Sequence, residues 1–305
     1  MDLTAAMSKQ GRSTLWLRLV AHLPWRVLYP MAAVLAFMLC RVLRYRVAVA
    51  RANLRRCFPV CRPAEITAIL NAYYRHLGQV MAEFIKLTNM SADELRRRVR
   101  FTNSGLVKAE LNAGRSVILL AAHLANWEWQ LQGVTLEFKV PMDAAYKPLH
   151  SAGADRELLK LRSRFGARMV AAKKLVRMVA RRRDELHAIA LMADQIPASS
   201  GGRQWVSFLG TDTAFYPGPA EIARMTGYAT FFTAMRRTAR GHYEMTFHPM
   251  AAAGERLDPE VFTQRYARML ELQIRADPAD WMWTHRRWKL AAPLPLTPDT
   301  QVASP

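Results

Sequence analysis

Ser116-Val-Ile-Leu-Leu-Ala-Ala-His-Leu-Ala-Asn-Trp-Glu128 is the stretch whose reading decides the fold. Ser116 to Ala121 reads as a buried strand, a short apolar run with no polar alternation. Trp127 to Phe138 then reads as a helix, with Asn126 well suited to cap it. A buried strand passing directly into a helix is half of a βαβ unit.

The same alternation continues downstream. Val140 to Tyr146 reads as a strand, Asp155 to Phe165 as a helix closed by Gly166, Lys173 to Leu186 as a helix and Ala188 to Ala193 as a strand. The expected fold is therefore α/β, a mainly parallel central sheet flanked by helices. Further on, Trp205 to Leu209 reads as a strand. Pro219 to Thr226 is a helix with proline at its start and Gly227 past its end. Tyr228–Met235 and Tyr243–Phe247 form a strand pair around Arg240-Gly241, and Pro259 to Ala276 is a helix.

Upstream, Pro63 to Arg98 is helical, with apolar residues at three-to-four spacing, and Ser91 caps a short final helix. Before it runs the apolar stretch Val27 to Cys40, flanked by Arg26 and by Arg41, Arg44 and Arg46. A membrane crossing needs about 20 apolar residues. The stretch thus predicts a helix lying in the bilayer interface or entering one leaflet, a buried core helix being the alternative. The organisation expected is a membrane-associating region over 1–50, a main domain over 51–290 and a loose tail over 291–305.

The 305 residues carry 44 Lys plus Arg against 24 Asp plus Glu, a formal charge of +20. Such an excess suits nucleic acid, an anionic bilayer or an acidic carrier protein. The dispersal of the charge and the apolar Val27–Cys40 run argue against nucleic acid as the partner. Three cysteines, Cys40, Cys57 and Cys61, make no disulfide framework or zinc site, and neither metal nor cofactor is expected.

The strongest chemical candidate is His123 with Glu128. The same spacing recurs at His150 and Asp155, so context decides. His123 follows a buried strand, and open parallel sheets build their sites at the C-terminal ends of strands. Five residues on one helix lie about 140° apart, so the two side chains meet only if His123 lies in the turn. Glu128, in the first helical turn, would then accept from the imidazole Nδ1–H and present Nε2 as a base. No Gly-x-Ser-x-Gly elbow is present and no cysteine has an evident histidine partner, which favours a nucleophile supplied by substrate.

From about Arg51 to Lys289 the chain resembles the bacterial lipid A biosynthesis acyltransferases, the lauroyl and myristoyl transferases of the lysophospholipid acyltransferase superfamily. His123 and Glu128 are similar to the family's catalytic dyad. Tyr146-Lys147-Pro148 with the following helix resembles its second block, with lysine in place of the usual arginine, and Met192-Ala-Asp-Gln195 resembles its Asp-Gln block. Ser199 to Arg203, Phe208-Leu-Gly210, Pro219 to Gly227 and the closing Trp281-Met-Trp-Thr-His-Arg-Arg-Trp-Lys289 follow in the family's order.

The resemblance implies a glycerolipid-acyltransferase-like fold and acyl transfer from a thioester, on acyl carrier protein or coenzyme A, to a hydroxyl of a membrane lipid such as a lipid A precursor. It places the protein on the cytoplasmic face of the inner membrane. Lys147, Arg156, Arg164, Asp194 and Gln195 are the substrate-binding residues it suggests. Relatives with the same blocks acylate lysophospholipids, ornithine lipids or other glycolipids, so the acceptor stays open.

Overall fold

The computed structural model describes residues 19–197 and 202–291. Of the tail expected over 291–305 all but residue 291 lies outside the described residues, as do Ser199, Ser200 and Gly201 of the glycine-containing loop.

Seven strands form one sheet: β1 (Val99–Phe101), β2 (Val117–Ala121), β3 (Met142–Tyr146), β4 (Arg168–Ala171), β5 (Ala188–Met192), β8 (Ala229–Ala239) and β9 (His242–Ala251), in the order β1-β9-β8-β2-β5-β3-β4. Every neighbouring pair is parallel except β8–β9, the hairpin expected around Arg240-Gly241. A separate antiparallel ribbon is made by β6 (Gln204–Phe208) and β7 (Thr211–Phe215). The mainly parallel α/β architecture read from the sequence is thus the one observed.

All five positions of β2 are buried. Successive side chains point to opposite faces of a sheet, so Ile118 and Leu120 join one core and Val117 and Leu119 the other. On the first face pack α3 (Pro63–Lys86), through Ile66, Leu70 and Tyr73, and α10 (Pro259–Ala276), through Phe262, Tyr266 and Leu270. On the second lie α5 (Gly105–Asn112) and α6 (Trp127–Glu137), through Val107, Leu111, Trp129 and Val134. Two-sided cover of this kind leaves a central strand no reason to alternate polar and apolar residues.

The apolar N-terminal stretch is longer than the sequence suggested. Helix α1 (Trp25–Phe37) runs on through a π-helical turn, Met38–Val42, and Trp25–Val42 meets the length and apolarity needed to cross a membrane. Its 18 residues reach about 27 Å at 1.5 Å per residue. It is not a core helix, because Val27, Met31, Val34, Phe37, Met38 and Val42 are exposed while its buried side chains are confined to one face, Leu28, Tyr29, Ala32 and Ala36. That face lies on α3, where a Cβ on Gly78 would stand 2.5 Å from the Ala32 carbonyl oxygen.

Several elements differ from expectation. The helix expected over Lys173–Leu186 is only α8 (Leu175–Arg181), and that expected over Asp155–Phe165 begins earlier, as α7 (Ala152–Arg162), capped by Ser151. β4 (Arg-Met-Val-Ala) is only four residues long and β7 (Thr-Asp-Thr-Ala-Phe) is threonine-rich, so neither carries a long apolar run to announce it. β4 is an edge strand, and Arg168 is drawn into it by the buried Asp143 carboxylate of β3, which Arg182 also binds.

Candidate active site

His123 leaves the C-terminal end of β2, and Asp194 leaves that of the adjacent parallel β5. Ala121 pairs with Met192, so His123 and Asp194 each stand two positions beyond a paired residue. The Asp194 carboxylate takes both ends of the histidine: Nδ1 lies 2.7 Å from Oδ1, and the His123 backbone N–H donates to Oδ2 at 3.0 Å. A further donor to Oδ2 is Trp281 Nε1, at 2.9 Å. With Nδ1 facing a carboxylate, the neutral ring carries its proton there and leaves Nε2 as acceptor. Gln195 Nε2 lies 3.2 Å from that nitrogen.

This overturns the expected partner of Nδ1. Glu128 does not face the imidazole nitrogen. After Ala125, which adopts left-handed backbone with φ 48°, Asn126 caps α6 by accepting from Trp129 N–H. Glu128, in the first turn, is directed to the last residue of α7, where Arg162 donates to both of its oxygens at 2.9 and 2.6 Å. Trp127 lies between the two motifs, its ring 5.6 Å from that of His123 and its Nε1 donating to Glu128. The sequence motif is therefore two adjoining pairs, His123–Asp194 and Glu128–Arg162.

Electrostatics follow this arrangement. Burial opposes a charge on His123, but the Asp194 carboxylate outweighs it and raises the imidazole pKa above its ordinary 6.5; Glu128 adds to the effect and Arg162 subtracts from it. Burial likewise opposes charge on Asp194, and His123 with Trp281 overcomes it, holding the carboxyl down at about 2.

The closing tryptophan-rich block braces the loop from behind. Leu124 bridges to Trp281, Met282 N–H donates to the His123 carbonyl, and Ala125 N–H donates to that of Asp280. Trp281 and Trp283 are buried edge to face. Arg287 is buried over the Phe215 ring, and burial lowers its pKa to about 10.

The remaining residues named from the sequence divide. Gln195 is in the site. Lys147, just past β3, and Arg156, on α7, are exposed and engage no ion pair among the described residues. Arg164 is already occupied: its guanidinium donates to the carbonyls of Thr88 and Met90. Arg162, unremarked in the sequence, sits beside the site instead. The sequence signal for it was only that of a basic residue in a last helical turn, which Lys160 shares, and the contact with Glu128 is tertiary.

Residues 13–290 match the family model of the bacterial lipid A biosynthesis acyltransferases. The chain belongs to that family. It is an acyltransferase. Among similar proteins are the lipid A biosynthesis palmitoleoyltransferase of Escherichia coli (strain K12) and a lipid A biosynthesis acyltransferase of Shigella flexneri. Each is 26% identical over 284 residues, covering 92% of this chain and 90% of its relative.

Proposed function

We propose that this acyltransferase moves a fatty acyl chain from an acyl carrier protein thioester to a hydroxyl of a lipid A precursor on the cytoplasmic face of the inner membrane, with His123 as general base. The observation that carries the reading is the His123–Asp194 pair, which orients the ring so that Nε2 is the nitrogen offered to substrate. His123 takes the acceptor's proton as that oxygen bonds to the thioester carbon. The tetrahedral intermediate then collapses, the C–S bond breaks, and the imidazolium returns the proton to the departing sulfur. Asp194 stabilises the imidazolium while it lasts.

Gln195 yields Nε2 to the incoming hydroxyl, and its amide is then available to bond the acceptor or the developing oxyanion. Glu128 acts through Arg162, whose charge it fixes beside the imidazole; the guanidinium supplies positive potential where the oxyanion forms. The apolar helix Trp25–Val42, with Arg26, Arg41, Arg44 and Arg46 at its ends, suits the acyl and phosphate layers of a bilayer. Lys173, Lys174, Arg177 and Arg181, exposed and in no ion pair among the described residues, suit an acidic carrier. They follow β4, whose C-terminal end lies on the same sheet edge as His123.

The test is transfer by detergent-purified protein from labelled acyl carrier protein, or acyl-coenzyme A, to lipid A precursors, lysophospholipids and ornithine lipids, beside His123→Ala. Transfer to the lipid A precursor, lost in the variant, is expected. Preference for another lipid would reassign the acceptor, and undiminished transfer by His123→Ala would remove the base.

A further inference from the structure

Beneath the catalytic loop lies a carboxylate that the mechanism does not use. Glu83, in the last turns of α3, is fully buried, and no Lys or Arg pairs with it among the described residues. Its carboxylate is instead met by three donors from three parts of the chain: Tyr29 hydroxyl from α1 at 3.1 Å, Asn126 Nδ2 at 2.7 Å and Tyr243 hydroxyl from β9 at 2.6 Å. Trp129 Nε1 also donates to the Glu83 carbonyl. Burying a carboxylate away from cations is costly, and an apolar residue of similar size would avoid the cost. What the carboxylate supplies that an apolar residue lacks is direction.

Asn126 shows how. Its side-chain oxygen caps α6 by accepting from Trp129 N–H, while its nitrogen donates to Glu83. The Trp129 N–H can only donate, so Asn126 turns its Oδ1 to the helix and its Nδ2 to Glu83, whose Oε2 accepts and so holds the amide at the start of the helix that carries Trp127 and Glu128. His76, seven residues earlier on the same face of α3, braces the other side. Its Nδ1 lies 2.7 Å from Asp280, whose carbonyl accepts from Ala125 N–H and whose neighbour Trp281 donates to Asp194. One helix face thus holds Asn126 directly and Ala125 through Asp280, where the loop enters α6, and through Tyr29 the same carboxylate holds the apolar helix α1.

We propose that Glu83 is a positioning residue, whose buried carboxylate sets the Asn126 cap and thereby the His123–Glu128 loop, and ties that loop to the seating of α1 through Tyr29. The inference rests on His123 being the base, and its partner contacts are independent of which lipid is acylated.

The test compares Glu83→Leu, Glu83→Gln, Tyr29→Phe and Tyr243→Phe, with His123→Ala as control, in transfer assays and in the proton spectrum of the His123 Nδ1–H held by Asp194. Glu83→Leu is expected to lower kcat at least ten-fold with KM for both substrates within two-fold, and to shift or broaden the Nδ1–H resonance. Glu83→Gln, which can still accept from Asn126, is expected to recover most of the rate. Each tyrosine variant, which removes one hydroxyl and folds even if Glu83→Leu does not, is expected to lose two- to five-fold in kcat. Unchanged kcat and an unchanged resonance in the tyrosine and glutamate variants, with His123→Ala inactive, would overturn the positioning role and leave the base intact. An active His123→Ala would instead strike at the base itself, and an altered resonance in Glu83→Leu would still support the structural link.

Discussion

His123 and Asp194 make two bonds to each other, ring to Oδ1 at 2.7 Å and main chain to Oδ2 at 3.0 Å. One carboxylate therefore fixes both the ring's tautomer and the position of the residue that bears it. Replacing Asp194 by Asn keeps the shape but offers an N–H toward Nδ1, favouring the tautomer with the proton on Nε2. We expect kcat to fall by on the order of 10²–10⁴-fold, with donor KM little changed, measured by steady-state transfer.

The pH dependence follows from the same pair. As the proposed base, His123 must be neutral, and its pKa is raised above 6.5, so the rate is expected to climb with pH through a value above the ordinary histidine range. In Asp194→Asn the residual rate should climb at lower pH. Stability runs the other way for the histidine. Its proton-linked contribution is complete below its unfolded pKa and is lost as pH rises through the raised folded value. The contribution of Asp194, present above its ordinary 3.8, is lost as pH falls toward about 2. A pH–rate profile and thermal melts across the same range check both signs.

How far the site is legible in the sequence depends on whether a contact is local. Ser116 to Ala121 and Ala188 to Ala193 announce themselves as buried strands, and each delivers its functional residue just past the end. What periodicity leaves open is that β5 is the immediate neighbour of β2. Given that adjacency, His123 and Asp194 fall side by side; without it, the acid nearest in sequence, Glu128, is the natural partner. The strands β4 and β7 are legible only through what they touch, Arg168 on Asp143 and Trp288 on Thr213. Tertiary partners of that kind leave no local period.

The Glu128–Arg162 pair is mostly shielded from water, with side chains 10% and 23% exposed. Arg162→Ala would leave the buried Glu128 without its cation, at a cost of about 3 kcal/mol. Arg162→Lys keeps the charge but not the two-pronged geometry. It should restore much of the melting temperature and little of the rate, and a double-mutant cycle with Glu128→Gln should show strong coupling.

Gly78 is where α1 comes closest to α3. A methyl group there meets the Ala32 carbonyl at 2.5 Å and the Ala36 Cβ at 3.0 Å, both backbone-fixed. Gly78→Ala is therefore expected to cost about 1–3 kcal/mol and to loosen α1, increasing protease cleavage between α1 and α3. An unchanged melt and cleavage rate would mean that the two helices separate without strain.

The exposed Lys173, Lys174, Arg177 and Arg181 make the clearest prediction about the donor. Helical spacing puts positions 174, 177 and 181 on one outer face of α8, opposite the buried Leu175 and Val179. Charge reversal at Lys174 and Arg177 repels an acidic protein but adds little to the handling of a small thioester, whose arm alone must reach His123. The double variant is expected to raise KM for acyl carrier protein roughly ten-fold, as lost steering of a charged partner would. It should leave kcat, and the KM for a short acyl-pantetheine donor, within two-fold. The wild-type KM should also rise with salt, and the variant's should not. Equal effects on both donors would place the carrier elsewhere on the surface and reduce this helix face to a solvated one.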